Sequence, residues 1–259
     1  MADRELRYHI FISNHIYNTR PMGFYLPMIT RWGAAALVCL AASGCATTTA
    51  GTAAPAAQAP LTTAETLPTL LLPAADVGSA LSSGDLVVTR DVTTLWDDSA
   101  HFNESASGPG CLAVAGAAQQ GVYTDSGWAA LRGQVLREPP TTPTWSHYAV
   151  QAVVLFPTAR AADDFYARSR DSWAGCSNRE LAYAQQLAPD QLWSVGPIST
   201  EDEVLAVSRE QRGPQHWFCQ RALTVHSNVG VDVEACSLDG ATSAAATIAH
   251  AIADRLPSA

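Results

Sequence analysis

The cysteines constrain the fold of this chain more than any other feature of its sequence. Cys39 and Cys45 lie near the start, and the other four are Cys111, Cys176, Cys219 and Cys236. No two of these four form a CxxC pair, so their spacing disfavours a zinc site or a thioredoxin-like redox motif. In an exported domain, an even number of cysteines indicates two disulfides, and four cysteines allow three pairings.

A short apolar segment indicates that the chain is exported. Residues 32–42 are apolar, follow Arg31 and precede Ser43-Gly44-Cys45. A helix that spans a bilayer needs roughly 20 such residues, whereas a stretch of about 11 is typical of a signal-peptide core. Small residues before a cysteine resemble a bacterial lipobox, although Ala42 stands where leucine is commoner. We therefore predict lipidation of Cys45 and a lipid-anchored, extracytoplasmic location at the cell membrane; the alternatives are an ordinary cleaved signal or a buried helix.

Composition divides the chain into three parts. Residues 1–44 form the signal-peptide region, whose long and mixed start suggests Met28 or Met22 as the true first residue. Residues 45–67 carry little charge and are rich in alanine, threonine and proline. Such a composition buries too little apolar surface to fold, which predicts a disordered tether after the lipidated cysteine. Residues 68–259 are the expected globular domain.

Charge and missing motifs exclude several functions. The chain has 15 basic residues, all arginine, against 24 acidic ones, and no basic cluster that could neutralise phosphates. Nucleic acid is therefore not an expected partner. A GxSxG motif is absent, and Ser126-Gly127 reads as a turn between strands rather than a nucleophile elbow. We expect no catalytic residues, no metal and no cofactor.

Hydrophobic periodicity predicts an α+β fold. A β-rich run over 148–156 is apolar on both faces, as in a central strand. The helix over 159–173 shows apolar residues at helical spacing and ends at Gly175. The other predicted elements are a short helix over 73–81, strands over 86–89, 191–195, 203–208, 216–225 and 229–236, and a helix over 241–255. The short strands and turn-like separators favour an antiparallel sheet.

Several segments together resemble one known family. They are Cys111-Leu112, Val122–Trp128, Gln151–Pro157, Trp173–Cys176, Cys219–Leu223 and Val231–Cys236. From about residue 67 to the end, the chain is similar to the PknH-like extracellular sensor domain of mycobacterial receptor kinases and of lipoproteins that share it. The resemblance implies a curved antiparallel sheet with packed helices and a cleft, and disulfides Cys111–Cys176 and Cys219–Cys236. The chain itself lacks the kinase motifs and contains no lysine.

The implied Cys219–Cys236 pair predicts a strand register. If these residues face each other, the register places the hairpin turn at Ser227 and Asn228. Asn is suited to a tight turn because it tolerates positive φ. Arg221 then lies opposite Glu234, and a charge pair across the ladder would stabilise the sheet by roughly 0.2 to 1 kcal/mol. The valines of the last strand would face the core on the other side.

Four residues are candidates for a ligand site in the cleft: Tyr123, Trp128, Tyr148 and Gln151. Aromatic walls with a few placed polar groups are typical of small-molecule sites; the alternative is that these residues pack in the core. Asp97, Asp98 and His101 resemble metal ligands but read as a solvated loop. We therefore expect an envelope lipoprotein whose sensor domain binds a small molecule, glycan or envelope protein. An envelope enzyme such as a hydrolase and a purely structural lipoprotein are the alternatives.

Overall fold

One eight-stranded antiparallel sheet organises the residues that the structure describes. This computed structural model describes residues 60–142, 144–185, 189–240 and 242–257. Cys45, the signal region and the tether up to residue 59 lie outside them. The strands are β1 (Val87–Val92), β2 (Ala130–Arg137), β3 (His147–Leu155), β4 (Glu180–Tyr183), β5 (Gln191–Glu201), β6 (Val204–Gln211), β7 (Phe218–His226) and β8 (Val229–Ser237).

Seven helices accompany the sheet within the described residues. They are α1 (Leu67–Leu70), α2 (Ala74–Ala80), α3 (Glu104–Ser107), α4 (Leu112–Ala115), α5 (Gln120–Tyr123), α6 (Ala159–Ala174) and α7 (Ala244–Ala253). The strand order is β1-β2-β3-β8-β7-β6-β5-β4. The predicted α+β class with an antiparallel sheet and packed helices is confirmed. No helix in the described part of the chain is long and apolar enough to cross a membrane.

Helix α7 covers one face of the sheet, which we call the α7 face. Apolar residues at helical spacing in α7 and just beyond its end are all buried: Ala245, Ile248, Ala249, Ile252 and Leu256. They pack against the valines of β8, and Val229, Val231 and Val233 are fully buried there, as predicted. An amphipathic helix therefore supplies the cover that the apolar face of the sheet requires.

The opposite face carries Cys219 and Cys236, and we call it the disulfide face. Helix α6 packs on it through Phe165 and Trp173, which are buried. The disulfide Cys111–Cys176 joins the N-terminus of α4 to the chain just beyond α6, with its Cα atoms 5.5 Å apart. The short helices α3 to α5 are thereby held beside α6, and the central strands are buried on both faces.

The β7–β8 hairpin has the predicted register. Cys219 pairs with Cys236 in a disulfide, and the two-residue turn is Ser227-Asn228. The predicted role of Asn228 is wrong in one respect, since Ser227 adopts the positive φ, at 51°. The Asn228 side chain instead bonds the backbone: its Oδ1 accepts from Thr62 N at 2.9 Å, and its Nδ2 donates to the carbonyls of Thr62 and Phe156, each at 3.0 Å.

Some elements differ from the sequence-based predictions. Strand β5 continues to Glu201 rather than ending at 195, because the Gly196-Pro197 step is accommodated as a register shift between Val195 and Ile198. Strand β2 and helices α3 to α5 were not predicted. Residues 60–67, assigned to the tether from composition, contact the folded domain through Thr62 and through Leu67, which is fully buried.

Candidate functional site

Two tryptophans and a tyrosine meet at one end of the sheet. Trp145 lies just before β3, and Trp217 lies directly before β7. Because β3 and β7 both pair antiparallel with β8, they begin at the same end of the sheet. The ring centroids of Trp145 and Trp217 are 5.1 Å apart, and those of Trp145 and Tyr148 are 5.9 Å apart. We call these three half-buried residues the aromatic cluster.

The aromatic cluster borders a row of residues that crosses the sheet. Strand pairing aligns Arg137, Tyr148, Cys236, Cys219 and Arg209 from β2 to β6. Residues paired in this way share one face of the sheet, so the Cys219–Cys236 disulfide lies between Tyr148 and Arg209. The Arg137 guanidinium carbon is 5.6 Å from the centroid of the Trp145 ring, within the range of a cation–π contact.

A buried ion pair lies beside the disulfide. Arg209 donates from Nη2 to Glu234 Oε1, and the two side chains are 2% and 13% exposed. Arg209 also donates from Nη1 to the Ala115 carbonyl and places its guanidinium carbon 5.2 Å from the Trp193 ring centroid. These contacts compensate both charges, which is the condition for burying them.

A second buried ion pair corrects a prediction. Arg221 lies opposite Glu234 in the register, but the predicted ion pair between them is wrong. Arg221 Nη1 instead donates to Asp232 Oδ1 at 2.5 Å. A long side chain can reach a diagonal neighbour, and Glu234 is already bound to Arg209. Asp232 Oδ2 also accepts from the Tyr123 hydroxyl at 3.0 Å, so the pair ties β8 to α5.

The tyrosines around Glu234 stay protonated at neutral pH. Burial raises the pKa of Tyr183 to about 12. The Arg209 charge acts to lower this pKa, and the Glu234 carboxylate acts to raise it. Burial is also the main cause of the raised pKa of Tyr148, and the carboxylates of Glu234 and Asp98 act in the same direction. A protonated phenol can donate a hydrogen bond, and Tyr183 does so to the Ala115 carbonyl at 2.8 Å.

Charges of both signs surround the Tyr148 phenol. Asp98 accepts a hydrogen bond from Gln119 Nε2 at 2.7 Å, and the Arg90 guanidinium carbon lies 4.4 Å from the Trp96 ring centroid. Asp98 acts to raise the pKa of Tyr148, whereas Arg90 and Arg137 act to lower it. Groups of both signs are therefore close enough to act electrostatically on the Tyr148 phenol.

The structure does not bring the four predicted ligand-site residues together. Gln151 is fully buried and lies on the α7 face, where its side chain bonds the backbone N and O of Leu72, each at 2.9 Å. Tyr123 is also buried, and its ring stacks on Phe165 with centroids 4.5 Å apart. Both residues are packed as core residues.

Trp128 lies at the far end of the sheet from Tyr148. It precedes Ala130, which pairs with Leu155, seven residues along β3 from Tyr148, or about 23 Å at the usual rise per residue. Of the four predicted residues, only Tyr148 belongs to the aromatic cluster. Trp145 and Trp217 were missed, although Trp145 lies shortly before the predicted strand over 148–156 and Trp217 lies within the one over 216–225.

Other candidate chemistry has ordinary structural partners. Asp97 caps the turn at Ser99, and Asp98 binds Gln119. Ser126 lies between α5 and β2, not between two strands as predicted. The group Cys219, Glu234 and Cys236 is close enough to hold a metal ion. Its two sulfurs are joined in a disulfide, however, and so are not available as thiolate ligands.

The comparison with known proteins agrees with this architecture. Residues 62–255 match the family model of the PknH-like extracellular domain. The chain belongs to this family. The PknH-like match covers every strand and helix described above, including the aromatic cluster and both disulfides.

Two PknH kinases illustrate the relationship. The chain is 31% identical over 192 residues to the serine/threonine-protein kinase PknH of Mycobacterium bovis and to that of Mycobacterium tuberculosis. These alignments cover 74% of this chain but only 31% and 29% of the two kinases. The chain thus spans less than a third of the length of these curated relatives.

A solved PknH structure has the same fold. The crystal structure of the extracellular domain of PknH from Mycobacterium tuberculosis superposes with a TM-score of 0.69 at 29% identity. The match covers 76% of this chain and 97% of that one. The PknH-like family places this domain outside the cytoplasm.

Proposed function

We propose that this protein is a cell-envelope lipoprotein whose PknH-like domain binds a ligand at the aromatic cluster. The observation that carries the proposal is the meeting of Trp145, Tyr148 and Trp217 at one end of the sheet without full burial. Half-buried aromatic rings give a ligand large contact area, and Tyr and Trp also offer polar atoms. A binding role requires no catalytic group.

The surroundings of the aromatic cluster favour a ligand with ring faces and polar edges, such as a glycan or another polar small molecule. Arg137 contacts the Trp145 ring, and the charges of Arg90 and Asp98 act on the Tyr148 phenol. With both signs of charge present, a strongly charged ligand of either sign would meet repulsion as well as attraction. Alternatively, the ligand is an envelope protein whose exposed surface presents the same chemistry.

The domain architecture supports a role in binding rather than in phosphorylation. The chain matches the extracellular domain of receptor kinases and has no lysine for a kinase site. The proposed lipid on Cys45 would hold the domain at the membrane in place of a spanning helix. A signal would then pass through a partner protein or end in binding.

The proposal is tested by analysing what co-purifies with the protein. The full chain is expressed in a mycobacterial host, purified from the envelope, and its bound small molecules and glycans are identified by mass spectrometry. We expect the Trp145→Ala variant to bind the compound at least about fivefold more weakly, because the stacking of one ring, such as a nucleic-acid base, on an aromatic side chain contributes ~1 to 3 kcal/mol.

Trp128→Ala is the matched control. Trp128 is also a half-buried tryptophan on the disulfide face, but it lies at the other end of the sheet. It should keep the compound at the level of the unmodified protein. Equal occupancy in the two variants, or no bound compound in any of the three proteins, would contradict the proposed site.

A further inference from the structure

A buried histidine lies next to Tyr148 in the sequence and on the opposite face of the sheet from the aromatic cluster. His147 begins β3 and is 7% exposed. Because side chains alternate along a strand, it points to the α7 face, opposite Tyr148. Its Nδ1 is 2.7 Å from Glu138 Oε1, and its Nε2 is 3.2 Å from Asp239 Oδ2. We call His147, Glu138 and Asp239 the histidine clasp.

The histidine clasp places one imidazole ring between two carboxylates. An ionised carboxylate only accepts hydrogen bonds, and a neutral imidazole has a single N–H. Glu138 also accepts from the His147 backbone N at 3.2 Å and from Ser146 Oγ at 3.1 Å. Burial acts to raise the pKa of Glu138, but the hydrogen bonds from His147 and Ser146 outweigh it and lower that pKa. Glu138 is therefore ionised. A protonated His147 ring is attracted by both carboxylates, whereas a neutral ring with its N–H on Nδ1 bonds only Glu138.

Of the three side chains of the histidine clasp, His147 is the one that can carry a positive charge. Glu138 faces it from the end of β2, and Asp239 faces it from the β8–α7 loop. Ser237, its register partner on β8, and Ser146 beside it carry no charge. In the part of the chain that the structure describes, no arginine forms an ion pair with Glu138 or Asp239.

The histidine clasp joins two loops, one of which carries Trp145. Ser146 follows Trp145, and its carbonyl accepts from Leu238 N at 3.0 Å, which links the β2–β3 loop to the β8–α7 loop. Asp239 N donates to Ser237 Oγ at 2.9 Å and so orients its loop toward the ring. The position of Trp145 therefore depends on contacts made one and two residues away, at Ser146 and His147.

We propose that protonation of His147 orders the β2–β3 loop and thereby controls the aromatic cluster. When the ring is neutral, Nδ1 can still donate to Glu138, but the attraction between the ring and Asp239 is lost and a nitrogen lone pair faces that carboxylate. The two loops then separate more often, and Trp145 loses its fixed position against Trp217. Ligand binding is therefore stronger with a protonated ring than with a neutral one. The expected effect on ligand binding rests on the proposed function, whereas the loop motion does not depend on it.

Hydrogen exchange and NMR of the full chain at pH 6.0 and pH 8.0 test the loop motion without any ligand. The readouts are the protection of the Leu238 amide, corrected for intrinsic exchange, and the indole N–H resonance of Trp145, assigned with Trp145→Phe. Protection of Leu238 should fall about two- to fivefold at the higher pH, as expected when an ion pair with one exposed partner is lost. The Trp145 resonance should broaden or shift in the same range.

Two variants separate the histidine clasp from other titrations. His147→Gln should have low Leu238 protection that is equal at the two pH values. His216→Gln removes an exposed histidine–carboxylate pair with Glu210 and should behave as the unmodified protein. Should His147→Gln fail to fold, Asp239→Asn takes its place, since the Asp239 side chain is 75% exposed. This variant should reduce the pH effect by at least half.

Three results would overturn the inference: unchanged Leu238 protection between the two pH values, a full pH effect in His147→Gln or Asp239→Asn, or a response of Leu238 without one of Trp145. None of them depends on a bound compound. Failure to find a co-purifying ligand would instead reject the proposed function and leave this result as it stands.

Discussion

Asp232 and Glu234 lie two residues apart on β8. Asp232 binds Arg221 of the adjacent strand β7, and Glu234 binds Arg209 of β6, one strand further along the sheet. Their alternation with valine indicates a strand with one polar face, which is usually the solvated one. The burial arises because α3 to α5 and α6 cover that face, and no local pattern in β8 reports such a cover. Paired charges under a layer of helices are therefore the part of this core that sequence periodicity could not reveal.

Asp232→Asn should strongly destabilise the domain. The change leaves Arg221, which is 2% exposed, without its compensating charge. Removing one partner of a buried pair typically costs about 3 to 5 kcal/mol of unfolding free energy. Urea denaturation of the full chain, followed by fluorescence, measures this loss.

Glu210→Gln serves as the control for the buried pair. It removes a carboxylate whose ion pair with His216 is exposed, and exposed pairs contribute about 0 to 1 kcal/mol. Similar losses in the two variants would mean that the Arg221–Asp232 pair is more hydrated than its burial indicates.

Long elements with a single clear period were predictable. Strand β3, helix α6, the β7–β8 hairpin and helix α7 lie within a few residues of their predicted positions. Helices α3 to α5 have four residues each, too few to show a helical period. Strand β5 was cut short because Gly196-Pro197 signals a turn in sequence, whereas the sheet absorbs it as a bulge.

The two disulfides should contribute unequally to stability. The Cys111–Cys176 bridge spans 65 residues and the Cys219–Cys236 bridge spans 17. On the chain-entropy model they contribute about 4 and 3 kcal/mol respectively. We expect the Cys111→Ala/Cys176→Ala double variant to have the lower urea midpoint.

The matched comparison is the Cys219→Ala/Cys236→Ala double variant, measured under the same conditions. Here the register of β7 and β8 is also held by backbone pairing along nine residue pairs. If this variant proved the less stable of the two, the loss of side-chain packing beside Arg209 would outweigh the loop entropy.

The candidate site is a property of the whole molecule. Trp145 and Trp217 are distant in sequence and meet only because β8 lies between β3 and β7. Local patterns predicted the three strands but not their order in the sheet. Tyr148 was predicted as a ligand residue, and its two aromatic neighbours were not, since their proximity depends on that order.

Cys45→Ala should release the protein from the membrane. The Cys45 thiol is the single acylation point of the predicted lipobox, so the variant should be recovered unprocessed or as a soluble exported form. Detergent phase separation of cell extracts measures the partitioning. As a control, Cys39→Ala alters the other cysteine near the start and should leave the protein in the detergent phase.

Continued recovery of Cys45→Ala in the detergent phase would show that another segment holds the protein. The released form should still contain both disulfides, because these depend on export and folding rather than on the lipid. Non-reducing peptide mapping distinguishes a soluble folded domain from a retained, misfolded one.

The hydrogen bonds between Thr62 and Asn228 hold the start of the folded domain at the β7–β8 turn. Thr62 is fastened to the β7–β8 turn, whereas the aromatic cluster lies at the opposite end of these strands, about 25 to 30 Å away at the usual rise per residue. The chain therefore enters the described domain at the end of the sheet opposite the aromatic cluster. A force transmitted through Thr62 would reach the β7–β8 turn before it reached the aromatic cluster.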